Sequence, residues 1–336
     1  MEINYSFIIP VYNRPQEIRE LLESMLRLNG KIAFEVVIVE DGSSLNSEDV
    51  VAQFKEHLHI SYFQKKNTGP GDSRNFGMER AEGNYFLILD SDVVLPLDYL
   101  LEVDKALKAD YVECFGGRDT AGKDFSAIQK AINYAMTSFY TTGGIRGHKN
   151  QGDNFQPRSF NMGLSRNAFE SSGGFGRIHP GEDPDLSLRL KKMGMRTPFF
   201  SEVSVNHKRR VGWGKFYDQV YKFGLVRPIL NLWHPESVKV TYWFPALFSF
   251  GFTLSFIFLF LEIKVFLAIY AAYFLTLIID SSLSNRSIVT GILSVWAAMI
   301  QLFGYGFGFC HSFFYIRILK EDPEKCFPQL FFKHDK

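Results

Sequence analysis

The chain has 336 residues, of which 46% are hydrophobic and 16% aromatic, so it is long enough to bury a large core and to form more than one structural unit. Its formal net charge of +1 gives no reason to expect nucleic acid or a strongly acidic partner. The three cysteines, Cys114, Cys310 and Cys326, lack the close spacing of a disulfide framework or a zinc site, which fits a reducing compartment.

The first 120 residues alternate strand and helix patterns. Short runs rich in β-branched and aromatic residues predict strands at 6–10, 34–39, 60–63 and 85–89. Between them, apolar residues at helical spacing predict helices over 15–28, after Ser47 as N-cap, over 74–81 and over 99–107. Such alternation is typical of an α/β fold, a mostly parallel sheet with helices on both faces, in which ligands bind beyond the carboxyl ends of the strands.

Polar clusters follow the predicted strands. Strand one ends in PVYNR (10–14), strand two in EDGSS (40–44), the third leads to NTGPGDSRNFG (67–77), and the fourth ends in DSD (90–92). Each cluster alone is ordinary turn chemistry. Because the carboxyl ends of parallel strands share one edge of a sheet, the clusters together predict one crevice that receives polar groups from four strands.

Asp90 and Asp92 follow a buried strand directly. With a side-chain period of two, both should project to the same side. Two ionised carboxylates only a few ångströms apart repel each other, so we expect a positive group between or in front of them. The alternative is that both residues cap the helix predicted near Pro96 to Leu107.

The chain resembles glycosyltransferase family 2, the inverting sugar transferases with the GT-A nucleotide-diphospho-sugar transferase fold, in five motifs that occur in the family's order: SFIIPVYNR, VVIVEDGSS, NTGPGDSRNFG, FLILDSDVVLP and GGFGRIHPGEDPDLSLRL. The resemblance covers roughly residues 3–230. It implies a Rossmann-like, mostly parallel catalytic domain over 1–235 that binds a nucleotide-sugar donor, with a UDP-sugar as the expected kind.

The resemblance also implies a metal site. Asp90 and Asp92 match the family's DXD motif, so Asp92 is expected to bind Mg²⁺ or Mn²⁺ and Asp90 to contact the metal or the ribose. Both ions prefer carboxylate and phosphate oxygens, which agrees with this residue pair. His207, in VSVNHKRR, loosely matches a histidine near the metal in some GT-A enzymes, and a purely structural histidine is the alternative.

The donor contacts implied by the resemblance lie in the first three motifs. Pro10 and Tyr12 match the segment that lines the base pocket, and Asp41 matches the aspartate that bonds the base or ribose. Arg74 matches a residue near the base and diphosphate, where a planar bidentate donor suits phosphate. A plain surface ion pair is the alternative for Arg74.

The last motif supplies the expected catalytic base. By resemblance Asp183 takes the proton of the acceptor hydroxyl, Glu182 helps to orient the acceptor, and Asn161 belongs to an acceptor-side stretch of small residues. An inverting transfer needs only one such carboxylate. Because Pro184 suits the first residue of a helix, the alternative for Asp183 is a structural N-cap.

Three apolar segments, 243–261, 265–279 and 288–316, predict a membrane region over 240–318, followed by a polar tail, 319–336. Buried core helices of a soluble protein are the alternative. The chain opens without a secretory signal, so we expect a multi-pass membrane protein with its catalytic domain in the cytoplasm.

The expected membrane topology follows from charge and length. Three crossings would put the Lys-rich tail outside, against the positive-inside tendency. Because Val265 to Ile279 would form a helix of only about 22 Å, we expect this segment to lie in the interface or to re-enter the membrane.

Processive members of the family carry a Q-x-x-R-W motif, which is absent from residues 209–224. The resemblance therefore implies non-processive transfer of one sugar to a lipid-linked or other membrane-associated glycan. Two alternatives stay open. One is a non-catalytic nucleotide-sugar-binding or scaffold protein. The other is a sugar nucleotidyltransferase, but such enzymes begin with a glycine-rich loop, and the corresponding stretch here, PVYNRPQE, contains no glycine.

Overall fold

The computed structural model describes residues 2–121, 125–143, 155–207 and 212–332. The chain forms two compact units, and neither is continuous in sequence. Unit 1 consists of Met1–Gly122, Lys149–Lys208 and Phe331–Lys336, and unit 2 consists of Lys123–His148 and Arg209–Leu330. Residues 331 and 332 therefore belong to the same unit as residues 2–121.

Unit 1 is built around one mixed sheet. Its strands within the described residues are β1 Tyr5–Val11, β2 Phe34–Asp41, β3 Ile60–Lys65, β4 Tyr85–Leu89, β5 Val93–Val94, β6 Cys114–Ala121, β7 Asn161–Ser165 and β8 Phe199–His207. They lie in the order β3-β2-β1-β4-β7-β6-β8-β5. Strands β1 to β4 pair in parallel, whereas β7 is antiparallel to both of its neighbours. The carboxyl ends of the first four strands consequently share one edge.

The described helices, in chain order, are α1 Pro15–Met25, α2 Glu48–Ala52, α3 Pro70–Arg80, α4 Tyr99–Ala109, α5 Ala127–Thr137, α6 Phe139–Thr142, α7 Arg166–Ser172, α8 Glu182–Lys192, α9 Trp213–Trp233, α10 Phe244–Phe260, α11 Val265–Asn285, α12 Ile288–Phe313 and α13 Pro323–Cys326. Unit 1 contains α1 to α4, α7 and α8, and unit 2 contains the other seven.

Helices cover both faces of the sheet, as the sequence predicts. Strand β1 is buried along its whole length. Because successive side chains alternate between faces, Phe7 and Ile9 enter one apolar cluster and Ile8 enters the other. Helices α1 and α4 complete the first cluster, and α3 and α8 complete the second. Burial on both faces explains why these strands are continuous apolar runs rather than alternating ones.

Two helices begin earlier than the sequence suggests. The helix predicted over 74–81 starts at Pro70, where proline suits the first turn. Helix α8 starts at Glu182 with Gly181 as its N-cap residue, and Gly181 has a φ of 128° that favours glycine. Asp183 therefore lies inside the first turn, and the interpretation of Asp183 as the N-cap is wrong.

Unit 2 holds three helical stretches long and apolar enough to cross a membrane: Val240–Phe260, Val265–Asn285 and Ile288–Ile318. In the first two, only 17% and 11% of the most apolar stretch is buried, so the alternative of buried core helices is wrong for both. The second spans 21 residues because the helix continues beyond Ile279. At ~1.5 Å per residue it is about 31 Å long, which removes the length argument against its crossing.

Candidate functional site

A buried arginine joins the end of β4 to the start of α8. Helix α3 places Arg74 in the interior, with 3% of its surface exposed. Its Nη2 lies 2.8 Å from Oδ1 of Asp90 and its Nη1 lies 3.4 Å from Oε1 of Glu182. The guanidinium also lies 5.3 Å from the centre of the Phe175 ring. This burial shows that the surface ion pair considered for Arg74 is wrong.

The second carboxylate of the DSD sequence has its own positive partner. Asp92 pairs with Arg14, which follows β1. Strand β4 ends at Leu89 and a turn follows, so the strand period of two does not extend to Asp92. The positive groups expected beside the two carboxylates are thus Arg14, in the loop after β1, and Arg74, in α3. The sequence motifs did not identify Arg14 as a site residue. Its position in the polar cluster PVYNR, after the first strand, could have indicated it.

Asp90 and Asp92 do not cap the helix that follows them. Helix α4 begins at Tyr99, and the residue at its N-cap position is Asp98. The alternative structural role for the DSD carboxylates is therefore wrong. Their side chains instead form the ion pairs with arginine described above.

Glu182 is held ionised by two positive groups. Its Oε1 lies 2.9 Å from Nδ1 of His179 as well as near Arg74. Burial alone would raise the pKa of Glu182, but His179 and Arg74 together lower it to about 2. Burial lowers the pKa of His179, and the charge of Glu182 outweighs that effect and raises it. His179 was not singled out from the sequence because a lone histidine in a loop carries no signal.

Asp183 differs from its neighbour. Its Oδ2 accepts a hydrogen bond of 3.2 Å from the backbone N–H of Ser159, whereas its buried Oδ1 has no hydrogen-bond partner among the described residues. Burial and the charge of Glu182 raise the pKa of Asp183 to about 6, against the opposing effect of Arg74. A carboxyl group that titrates near neutral pH is suited to proton transfer.

Asp41 organises the loop after β3. Its Oδ1 accepts hydrogen bonds from Nζ of Lys65 at 2.8 Å and from the backbone N–H of Thr68 at 3.0 Å. Its Oδ2 accepts another from the N–H of Gly69 at 3.0 Å. Both carboxylate oxygens thus shape the loop that leads into α3, and the donor contact assigned to Asp41 stays a prediction.

Pro10 and Tyr12 lie at the carboxyl end of β1. Pro10 is buried in the strand, and Tyr12 is 53% exposed just beyond it. The Asn13 side chain accepts a hydrogen bond of 2.9 Å from the N–H of Leu45, which fastens this loop to the loop after β2. The two loops that the resemblance assigns to the donor base are therefore neighbours.

Asn161 and His207 lie in strands of the mixed sheet, in β7 and at the end of β8. Asn161 is fully buried, donates to the carbonyl oxygen of Val203 at 3.0 Å and accepts from the hydroxyl of Tyr99 at 2.8 Å. Its amide is thus occupied within the fold. His207 pairs with Val93 across β5 and β8, so its backbone lies beside the residue that follows Asp92.

The residues at the end of β4 fit a hard divalent cation. Asp90 and Asp92 offer carboxylate oxygens, and the Asp90 side chain is 34% exposed. Glu182 and Asp183 lie beside Arg74, which also pairs with Asp90, and Arg158 acts on Asp183 as a second positive charge.

A separate group of possible ligands lies elsewhere. Atoms of Glu35, His59 and Glu82 lie within 4.8 Å of one another. These residues stand near the starts of β2, β3 and β4, at the opposite edge of the sheet from Asp90. Glu35 already accepts a hydrogen bond of 3.0 Å from the N–H of Gly83. This group is therefore distinct from the carboxylates at the strand ends.

Comparison with known proteins gives a family match and a set of relatives. The family model for glycosyl transferase family 2 matches residues 6–173. An uncharacterized glycosyltransferase of Rickettsia bellii is 40% identical over 87 residues, which are 26% of this chain and 12% of that protein. The poly(ribitol-phosphate) β-N-acetylglucosaminyltransferase TarS of Staphylococcus aureus is 36% identical over 93 residues, 27% of this chain and 16% of TarS. The chain thus matches less than a fifth of the length of these relatives.

Solved structures resemble the chain over nearly its whole length. The mannosyltransferase PcManGT of Pyrobaculum calidifontis, solved with GDP-Man and Mn²⁺, has a TM-score of 0.60 at 17% identity and covers 90% of this chain and 88% of its own. Residues 1–349 of Staphylococcus aureus TarS, solved with UDP-GlcNAc, give 0.51 at 18% identity, with 91% and 90% covered. At such identities the likeness concerns the fold, and it confirms the GT-A fold expected from the sequence motifs.

Proposed function

Because the chain belongs to glycosyltransferase family 2, we propose that it is an inverting, metal-dependent, non-processive transferase that moves one sugar from a nucleotide-sugar donor to a membrane-associated glycan acceptor. One observation carries the proposal. Asp183 is a half-buried residue with a pKa of about 6, and its buried Oδ1 has no hydrogen-bond partner among the described residues.

Asp183 is the proposed general base. The acceptor hydroxyl gives its proton to Oδ1 of Asp183 while its oxygen bonds to the anomeric carbon of the donor sugar. The bond from that carbon to the donor phosphate breaks on the opposite face, and its electron pair leaves with the nucleoside diphosphate. Glu182 stays ionised, so it can accept a hydrogen bond from a second acceptor hydroxyl and orient the sugar.

The donor is proposed to bind along the ends of β1, β2 and β4. Asp92 and Asp90 would hold Mg²⁺ or Mn²⁺, with His207 as a further candidate ligand, and the bound ion would offset the charge of the leaving diphosphate. Arg74 keeps Asp90 in place. Asn161 is left out of the proposed acceptor site because its amide is occupied within the fold.

The structural relatives support a nucleotide-sugar donor. PcManGT was solved with GDP-Man and Mn²⁺, and TarS with UDP-GlcNAc. We propose a UDP-sugar, since TarS is a relative by both sequence and structure. Pro10, Tyr12 and Asp41 are the proposed contacts to the base and ribose, because they lie on the adjoining loops after β1 and β2.

The acceptor and its location are proposed from the second half of the chain. The three apolar helical stretches favour an acceptor held at a membrane, and TarS is named for transfer to poly(ribitol-phosphate). A catalytic domain over 1–235 on the cytoplasmic side, a membrane region over 240–318 and a tail over 319–336 complete the proposal.

The test uses the purified protein in lipid, a panel of nucleotide sugars and a lipid extract as acceptor. We expect release of nucleoside diphosphate from one donor, dependent on Mg²⁺ or Mn²⁺. Asp183→Asn should still bind the donor, but its rate of transfer should fall by ~10²-fold or more, within the range for loss of a general base. Asp185→Asn, in the same helical turn, is the matched control. Absence of release with every donor would favour the scaffold alternative, and full activity of Asp183→Asn would remove the proposed base.

A further inference from the structure

Helices α10 and α11 form an antiparallel hairpin. Near its turn the rings of Phe258 and Phe266 stack with centres 4.8 Å apart, and farther from the turn the hydroxyl of Tyr270 donates to the carbonyl oxygen of Phe248 at 3.0 Å. The helices have 17 and 21 residues, or about 26 Å and about 31 Å, close to the ~30 Å of a hydrocarbon layer. The turn itself, residues 261–264, is exposed and includes two charged residues. The hairpin therefore has the length and surface of a membrane-spanning pair.

Helix α12 lies across the base of this hairpin. Oγ of Ser294 is 2.7 Å from Oγ of Ser281, in the last turns of α11. A Cβ added at Gly306 would lie 2.9 Å from the carbonyl oxygen of Pro245, in the first turn of α10. Gly306 lies about 27 Å along α12 from Ile288. If α12 ran parallel to α10 and α11, Gly306 would lie near the turn at residues 261–264 and could not contact Pro245. Because α12 contacts both the end of α11 and the start of α10, it crosses the base of the hairpin and does not run alongside it as a third membrane span.

Helix α12 also packs closely against α9. A Cβ at Gly224 would collide with the carbonyl oxygen of Tyr305, and a Cβ at Gly308 would collide with that of Tyr221. Helix α9 exposes Lys215, Asp218 and Lys222 on its outer side. Exposed charges of this kind are costly in hydrocarbon, which places α9 and the second half of α12 at the level of the lipid headgroups or outside them.

The exposed side of α12 is apolar and aromatic. Its most exposed large residues are Ile288, Val289, Ile292, Trp296 and Phe307. Its buried side is formed mainly by small residues, among them Gly291, Ser294, Ala297, Ala298, Gly304 and Gly308. A helix with one apolar exposed side and one side packed on protein matches an interfacial helix, and tryptophan is enriched at that depth.

The chain returns to unit 1 after α12. Phe331 pairs with Ile178 in an antiparallel bridge, and the N–H of Phe332 donates to the carbonyl oxygen of Arg177 at 3.2 Å. The ring of Phe332 lies against Gly69 and 5.9 Å from the ring of His179. Unit 1 therefore receives the chain from both ends of the membrane region, which requires an even number of crossings.

We propose that α10 and α11 cross the lipid bilayer as a two-span hairpin, that α12 lies in the membrane interface with its aromatic side toward the acyl chains, and that the C-terminal segment ends on the same side as unit 1. The inference deepens the proposed membrane attachment and rests on it. It differs from the expectation from the sequence, in which Val265 to Ile279 lies in the interface or re-enters the membrane. The partner of this surface is lipid, since both hairpin helices are exposed over most of their length.

Labelling with a membrane-impermeant maleimide tests the topology in vesicles of both orientations. The background carries Cys310→Ser and Cys326→Ser, while Cys114 is buried and stays. Three exposed positions receive single cysteines: Glu56→Cys in unit 1, Lys264→Cys at the hairpin turn and Ser284→Cys at its base. A fourth variant restores Cys326 to report on the tail.

We expect Glu56→Cys, Ser284→Cys and Cys326 to react from one face and Lys264→Cys from the other. Reaction of Cys326 from the face opposite to Glu56→Cys would mean three crossings and would overturn the proposal. Reaction of Lys264→Cys from the Glu56 face would also overturn it, because the hairpin would not cross. A carbonate wash tests membrane attachment separately from the topology. Release of the protein from the vesicles would contradict membrane attachment itself, whatever the transferase activity of the protein.

Discussion

Arg74 connects residues that are far apart in the chain. Its buried guanidinium pairs with Asp90 at the end of β4 and with Glu182 at the start of α8. Its charge also opposes the effects that raise the pKa of Asp183. One side chain thereby fixes a proposed metal ligand and sets the electrostatics of the proposed base, while its own burial is compensated by two carboxylates.

Replacing Arg74 should therefore be costly. Arg74→Gln leaves two carboxylates without their shared partner, and breaking a buried pair typically costs about 3–5 kcal/mol. We expect a large fall in the unfolding temperature of the detergent-solubilised protein. Arg27→Gln, an exposed arginine at the end of α1, is the control and should change stability by less than about 1 kcal/mol. Equal stability of the two variants would show that the buried pair contributes little.

The pH dependence of transfer should report Asp183. A base must be ionised, and the pKa of this group is raised from its ordinary value to about 6. We expect kcat/KM to rise about tenfold per pH unit below pH 6 and to level off above pH 7. Glu182→Gln removes a charge that raises the pKa of Asp183, so the rise should move to lower pH.

Protein stability should also depend on the ionisation of Asp183, but it should fall with rising pH where the transfer rate rises. Because the folded state holds this proton more tightly than the unfolded state, the contribution of Asp183 to stability falls as the pH rises from about 4 to about 6. Asp183→Asn removes that dependence. A rate profile without a rise near pH 6, or a stability profile unchanged by Asp183→Asn, would contradict the assignment.

At the scale of helices and strands, local patterns predicted the first half of unit 1 well. Strand β4 lies at 85–89 as predicted, since a continuous apolar run buried on both faces needs no distant information. The end of α11 was missed because the segment after Ile279 is polar. Its Ser281 is satisfied by Ser294 of α12, a partner that no local pattern shows.

The candidate site was predictable where the resemblance and the strand ends agreed, and less so where distant residues decide. Glu182 was expected near the acceptor, but its pairing with Arg74 joins residues 108 positions apart. Asn161 was assigned to the acceptor side by resemblance, yet Tyr99 and Val203 occupy its amide. Glu182 and Asn161 thus differ in their burial and in their long-range hydrogen bonds, and neither property can be read from one sequence.

Helix packing in unit 2 offers a matched pair of glycines. Both Gly214 and Gly224 lie in α9, but a Cβ at Gly214 meets nothing within 4 Å, whereas a Cβ at Gly224 would collide with the backbone of α12. Gly224→Ala should destabilise the protein by more than about 1 kcal/mol, typical of overpacking. Gly214→Ala should be neutral or stabilising by up to about 1 kcal/mol, because alanine favours helix. Thermal unfolding in detergent measures both, and a neutral Gly224→Ala would show that α9 and α12 pack less closely.

At the scale of the whole molecule, the proposed tasks fall on different units. Every residue proposed for donor binding, metal binding and proton transfer belongs to unit 1, and the helices proposed to meet lipid belong to unit 2. The net charge of +1 does not show this division, because the carboxylates at the strand ends are paired with arginine and histidine side chains beside them. A membrane-held acceptor gives a reason for both parts to occur in one chain.

The anomeric configuration of the product is the most direct test of the proposed reaction. A single displacement, with Asp183 as base and no covalent sugar intermediate, converts an α-linked donor into a β-linked product. Proton NMR of the glycan formed by the wild-type protein, from the donor that the panel identifies, measures this configuration. We expect the β-linked product alone. A product that retains the anomeric configuration of the donor would contradict the account, since retention requires a second nucleophile that the mechanism through Asp183 does not include.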